Sequence, residues 1–360
     1  MKVRSLGVCL LMLAAALTVR AQEAVSGFEL RATTSGEALI SPQLSYDRND
    51  WKATGAFRAV LYPTWKIGEN WTVTGSVQAS SYPYFFADVG SSQKGMEVEL
   101  LQANVSYSHF WGNRSVLIRV GQLSSAFGSF ALRYDDSVNP LIDTPQTYGY
   151  FGNGVSLESL AGGEVDATLG RIDLRGQLTN SSPSNPQSLA SHDQHLNWTV
   201  GGGYTLVQGL RIGGSVYRGP YWDDVVPANV SEASPAKLLA TGVGADLEWG
   251  YGHWNVNAEW QRFQMDEFEM PASVLEAGYG EARVVVSPRI YLAARLGTVS
   301  PDRWAPWETY EAAVGYRPGA HELLKVEYEI QQGRTGYGAG HGILAIQFVT
   351  TLRLFSTGRS

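Results

Sequence analysis

The chain has 360 residues and a formal net charge of −7, with 17% charged residues, 40 glycines, 18 tyrosines, 11 tryptophans and one cysteine. The acidic balance disfavours nucleic acid as a partner, and no stretch approaches the 18 consecutive apolar residues of a membrane-spanning helix. A mean hydropathy of −0.14 is typical of a soluble protein, but it is also the average of a sheet whose polar and apolar faces cancel.

The N-terminus reads as a secretory signal covering residues 1–21. Lys2 and Arg4 precede an apolar run from Leu6 to Leu17, and Val19-Arg20-Ala21 is a small-x-small cleavage site. Cleavage there removes three basic residues and no acid, so the net charge moves from −7 to −10. Cys9 leaves with the signal, and the exported chain would contain no disulfide. Residues 22–36 are expected to form a periplasmic arm or one extra strand.

Downstream, a two-residue period recurs, which is the mark of strands with one apolar and one polar face. Trp71, Val73, Gly75, Val77 and Ala79 alternate with Thr72, Thr74, Ser76 and Gln78. Leu101, Ala103, Val105 and Tyr107 alternate with Gln102, Asn104, Ser106 and Ser108. The same holds around Ile172–Thr179, Trp254–Gln261, Tyr310–Arg317 and Leu324–Gln331. In the last segment Leu344, Ile346, Phe348, Leu352 and Leu354 share one face. Pro63 interrupts the second strand and suggests a bulge there.

About 16 strands result, within a range of 14–18, filling residues 37–355 and leaving 356–360 as a tail. The first is expected at 37–47, the fifth at 115–133 and the sixth at 153–169. Short links near 67–70, 110–114, 170–171, 207–209, 250–252, 287–288 and 318–321 alternate with long polar links near 82–95, 134–152, 181–195, 219–237, 265–272, 300–307 and 333–341. That alternation and the aromatics near strand ends (Trp71, Tyr107, Trp198, Trp249, Trp254, Trp260, Tyr310, Tyr316 and Phe355) predict an all-β fold, a transmembrane antiparallel β-barrel with short periplasmic turns and long external loops.

One segment stands apart. Gly121-Gln122, then Ala126-Phe127-Gly128, then Tyr134-Asp135-Asp136 and Asn139-Pro140-Leu141-Ile142-Asp143 form a Gly-Gln strand end, a Phe-Gly turn and an Asp-, Pro- and aromatic-rich loop. This run resembles the phosphate-selective and related outer-membrane porins of Gram-negative bacteria. Those proteins usually show Pro-Phe-Gly where this chain has Ala126-Phe127-Gly128, and they usually end on an aromatic residue, whereas this chain continues beyond Phe355. The resemblance implies a porin in the outer membrane that passes small hydrophilic solutes, a loop over 134–152 that narrows the lumen, and a homotrimer whose contact face the sequence does not locate.

Alternation places Arg119, Arg175, Arg295, Arg317, Lys325 and Arg353 on inward faces with Asp173, Asp246, Glu248, Glu259, Glu311, Glu327 and Glu329. With Arg133, Asp135, Asp136 and Asp143 these are the candidates for the pore lining and constriction. Both signs are present and there is no basic ladder, which favours a general diffusion pore with weak cation preference over an anion-specific channel. No catalytic residue, metal or cofactor is expected. His192 and His195 lack a third ligand, Gly336-Tyr337-Gly338-Ala339-Gly340 precedes no helix, and no nucleophile elbow or His-Glu-x-x-His motif occurs. Two alternatives stay open: a secreted or surface β-rich binding protein, and an outer-membrane barrel enzyme.

Overall fold

A computed structural model describes residues 26–42, 52–86, 95–148, 159–180, 196–220, 238–267, 270–303, 305–333 and 341–357. Residues 1–21, expected to be a secretory signal, and His192, His195 and the glycine-rich run 336–340 lie outside the described residues. Sixteen antiparallel strands close into one barrel: β1 (Gly27–Ser41), β2 (Lys52–Ile67), β3 (Trp71–Tyr82), β4 (Gly95–Trp111), β5 (Arg114–Leu123), β6 (Leu160–Leu169), β7 (Ile172–Thr179), β8 (Asn197–Val207), β9 (Leu210–Pro220), β10 (Leu239–Tyr251), β11 (Trp254–Glu267), β12 (Met270–Ser287), β13 (Ile290–Pro301), β14 (Trp307–Tyr316), β15 (Glu322–Gln332) and β16 (His341–Ser356). Each strand pairs with its neighbours in sequence. β16 returns to pair with β1, for example Glu37 with Gln347 and Ala38 with Ile346, so no sheet edge is left open.

Turns at one end are tight. Gly112 (φ +61°) and Gly170 (φ +70°) take the left-handed conformation that a short hairpin needs and a side chain resists. The long connections leave from the other end. The link between β11 and β12 is an exception to the expected lengths, because both strands extend until only residues 268–269 separate them.

The strand expectations need four corrections. β1 begins at Gly27, so residues 27–36 belong to the first strand and are neither a separate arm nor an extra strand. Its middle, Ala32-Thr33-Thr34-Ser35-Gly36, has too little hydropathic contrast to show a period. β5 stops at Leu123 and β6 starts at Leu160, which lengthens the intervening connection at both ends. Pro63 leaves its ladder position unpaired without shifting the β2–β3 register; its ring lies against Gly75, where a Cβ would stand 3.1 Å from Pro63 Cγ. The bulge is on β4, where Leu101 is skipped between the Ser76–Gln102 and Val77–Leu100 pairs and turns inward to 3% exposure. At the C-terminus the sheet runs past Phe355: Thr357 N–H donates to Phe28 O at 2.8 Å, and Phe28 N–H donates back to Thr357 Oγ1 at 3.0 Å.

The two faces of the wall differ as alternation requires. Outward positions expose large apolar side chains, among them Leu178, Val200, Leu296, Val314 and Phe348. Outward charges such as Arg218, Glu308 and Glu322 lie within two residues of a strand end, and Arg262 and Glu276, further along β11 and β12, pair with each other at 3.4 Å. At the tight-turn end, Trp71 sits 5.1 Å from Tyr107 and Phe28 lies 6.1 Å from Phe355, ring centre to ring centre. A soluble protein does not leave so large an apolar surface uncovered. The outside is that of a barrel in lipid, with a ring of aromatics at the interface.

Candidate functional site

A 16-stranded barrel is too wide for its own wall side chains to fill. Here the described residues 124–148 of the β5–β6 connection pack against the inner wall. The chain leaves β5 through Gly121 (φ +138°), where a Cβ would overlap the backbone of Ala103. It then turns inward at Ala126-Phe127-Gly128. Gly128 (φ +73°) donates its N–H to Ser215 Oγ at 3.2 Å, and a Cβ there would overlap Tyr148 Oη. Phe127 wedges between Tyr217 and Phe263 of the wall, with ring centres 6.5 and 5.3 Å away. A single 3-10 turn, Phe130–Arg133, follows. Burying these aromatics against inward-facing Tyr217, Phe263, Tyr279 and Trp307 gives the segment an apolar footing inside a polar lumen. A second footing joins Ile142 to Leu39, Phe86 and Ile343, and a third seats Leu141 among Tyr291, Ala293, Leu323 and Val349.

Charged wall residues then fasten the segment. Arg58 of β2 pairs with Asp136 at 2.9 Å; it also donates to Gln78 Oε1 at 2.7 Å and to Tyr134 O at 3.2 Å. Its guanidinium lies 4.4 Å from the centre of the Tyr134 ring. Asp136 accepts further bonds from Ser35 (2.6 Å) and Tyr84 (2.7 Å). Burial alone would raise the Asp136 carboxyl, but Arg58 and Lys325, with the two hydroxyls, outweigh it and hold it below the usual carboxylate range. Lys325 of β15 donates to the carbonyls of Asp136 (2.9 Å), Asn139 (3.2 Å) and Leu141 (2.8 Å). Arg295 of β13 bonds Glu281 (2.8 Å), Glu311 (2.7 Å) and the carbonyl of Asp143 (3.0 Å). Ser129 and Tyr148 donate to Glu259, Arg133 pairs with Glu281, and the Ile142 N–H donates to Glu327.

These positions sort the candidates. Asp136, Asp143, Glu259, Arg295, Glu311, Lys325, Glu327 and Glu329 face inward, but all are at most 4% exposed. Asp136, Asp143, Glu259, Arg295, Lys325 and Glu327 form the fastening between wall and segment, while Glu311 lies behind Arg295 and Glu329 accepts from Gln331 of its own strand. Asp135 accepts from Tyr62 and Ser137 on the same side. Arg317 stands just beyond β14, at the tight-turn end, its N–H donating to Arg289 O at 2.8 Å. Arg353 lies at the same rim, 3.0 Å from Glu29 and 60% exposed.

Arg119, Asp173 and Arg175 do reach water. They line a cavity of about 170 Å³ between the β5–β7 wall and loop residues Ser124–Leu132. Two further residues of that cavity, Glu164 and Asp166, both pair with Arg119. Beyond them Arg211 bridges Asp173 (2.6 Å) and Asp246, with Glu248 at 3.7 Å. The strip thus holds three arginines, Arg119, Arg175 and Arg211, against five carboxylates, Glu164, Asp166, Asp173, Asp246 and Glu248. Alternation marked Asp246 and Glu248 as inward-facing. Glu164, Asp166 and Arg211 carry the same signal in weaker form, in strands interrupted by glycines.

No family model and no curated protein matches the sequence. Solved structures do match the fold. The anion-selective porin of Comamonas acidovorans superposes with a TM-score of 0.63 at 10% identity, covering 91% of this chain and 100% of that one. The outer-membrane channel DcaP of Acinetobacter baumannii gives 0.61 at 12% identity, over 93% and 100% of the two chains. OmpF of Salmonella typhi, solved with daunomycin, gives 0.57 at 12% identity over 90% and 97%. The chain therefore has the closed-barrel fold of bacterial porins and outer-membrane channels.

Proposed function

We propose that this protein is an outer-membrane pore through which small hydrophilic solutes diffuse passively. The observation that carries the reading is the pairing of an apolar outer wall with a partly solvent-exposed charged strip inside. Residues 124–148 pack on inward-facing residues of β9–β16, β1 and β2, and in this reading the solute path runs along the charged strip carried by β5–β10. The segment would act as the constriction, with its neutral face, Ser124 to Leu132, opposite the strip. Three arginines against five carboxylates give the strip a net negative charge and a cation preference. No bond is made or broken in this role. Assembly as a trimer through the outer wall is part of the same proposal.

Purified protein in a planar bilayer should open ohmic channels, and a KCl gradient should give a reversal potential of the sign for K⁺ over Cl⁻. Neutralising Asp166 and Asp173 together should move that potential towards zero. A heat-modifiable barrel that never conducts would end the pore reading while leaving the fold intact.

A further inference from the structure

We propose that Glu311, Glu327 and Glu329 form a calcium-binding site on the inner wall of the barrel. Glu311 and Glu329 are cross-strand partners on β14 and β15, and Glu327 lies two residues from Glu329 on the same inward face. All three are at most 3% exposed. One carboxylate oxygen from each falls within 4.8 Å of the others.

The state of the individual oxygens is a separate observation. Each carboxylate has one oxygen held by a donor: Glu311 Oε2 by Arg295 at 2.7 Å, Glu327 Oε2 by the Ile142 N–H, and Glu329 Oε1 by Gln331. The second oxygens, Glu311 Oε1, Glu327 Oε1 and Glu329 Oε2, are fully buried and accept no hydrogen bond from any described residue. The nearest cations do not serve them. Lys325 directs its ammonium at three loop carbonyls, and Arg295 is shared between Glu281 and Glu311. Three neighbouring buried carboxylates with one shared guanidinium lack positive charge at the place where their unbonded oxygens lie.

The donor set selects the ion. Hard carboxylate oxygens without nitrogen or sulfur suit calcium or magnesium and disfavour zinc. Calcium–oxygen bonds of about 2.3–2.6 Å put opposite ligands up to about 5 Å apart, whereas magnesium allows only about 4 Å. Magnesium also keeps several of its waters and demands an octahedral shell, whereas calcium accepts an irregular set of protein oxygens, so this enclosed cluster favours the larger ion. A calcium ion here ties β14 to β15 and, through the Glu327–Ile142 bond, steadies the segment that crosses the lumen.

The test uses the full chain refolded in detergent without lipopolysaccharide and stripped with EDTA. Equilibrium binding of radioactive calcium should saturate near one ion per chain with a Kd of roughly 10⁻⁴–10⁻³ M, and calcium should raise the unfolding temperature more than magnesium does. Glu311→Gln with Glu329→Gln should abolish that binding and the temperature shift. In EDTA this variant should still migrate as a heat-modifiable barrel, which separates loss of the site from loss of the fold. The proposal is overturned if the parent binds no calcium up to about 10 mM, or if the variant binds and shifts as the parent does. Should the double variant not fold, an unchanged isotherm for Glu329→Gln alone overturns it as well. None of these readouts depends on conductance, so they stand apart from the pore reading.

Discussion

Arg58→Ala should undock the lumen segment while sparing the barrel. Arg58 is 1% exposed, and its partner Asp136 is 3% exposed. Removing one member of a buried pair costs about 3–5 kcal/mol, because the remaining charge is left uncompensated. Loss of the cation–π contact with Tyr134 adds about 1–2 kcal/mol. Even the lower figure shifts the docked–undocked balance by about a hundredfold. The cost falls on the segment because the Arg58 side chain joins β2 to loop residues, while the β1–β2 and β2–β3 ladders are held by backbone bonds. Single-channel recordings should show larger, noisier openings, and residues 134–148 should become cleavable by protease in intact barrels. Arg58→Met combined with Asp136→Leu removes both charges and should recover part of the loss. A single variant that matches the parent in conductance, noise and protease resistance would refute the argument that this ion pair fastens the segment.

Three further outcomes follow from the same geometry. Because the folded Asp136 carboxyl titrates below its unfolded value, its contribution is complete above the unfolded value of about 3.9 and is lost as pH falls through the lower folded one; the excess conductance noise of Asp136→Asn over the parent should therefore be constant above about pH 5 and shrink only in stronger acid, and an excess that already shrinks near neutral pH would contradict this assignment. Gly128→Ala forces a side chain into φ +73° against Tyr148 and Glu259, a backbone cost of about 1–3 kcal/mol before the overlap is counted, so the variant barrel should form yet show altered conductance. Leu296→Arg places a charge on the outward wall at a position 60% exposed, which should reduce folding into vesicles by about 2–4 kcal/mol; equal yields of variant and parent would mean that this face does not meet lipid.

Parts of this architecture were legible because their side chains contrast strongly. In β14 and β15, Glu311, Glu327 and Glu329 alternate with Ala312, Tyr328 and Ile330, and the alternating runs Tyr310–Arg317 and Leu324–Gln331 fall on these two strands, with Arg317 one residue beyond the first. The lower half of β1 was not legible, because threonine, serine, glycine and alanine occupy both faces. The end of β5 was misread for another reason. Phe130-Ala131-Leu132-Arg133 continues the apolar character of a strand, yet it forms a 3-10 turn packed on Tyr279 and Tyr148.

Local sequence determined the barrel, its strand order and which side chains point inward, because a two-residue period and tight turns are short-range properties. Only the tertiary structure decided which inward charges meet water. Glu327 and Asp173 look alike in sequence, but Lys325, Arg295 and the lumen segment enclose the first, and the second faces an open cavity. That difference arises from contacts between residues more than a hundred positions apart, where burial of Phe127, Phe130, Leu141 and Ile142 chooses the wall on which the segment rests. The calcium-site proposal has the same origin, since its ligands come from two strands and the shortage of positive charge around them appears only once Arg295 is seen to be shared with Glu281 and Lys325 to bind the loop.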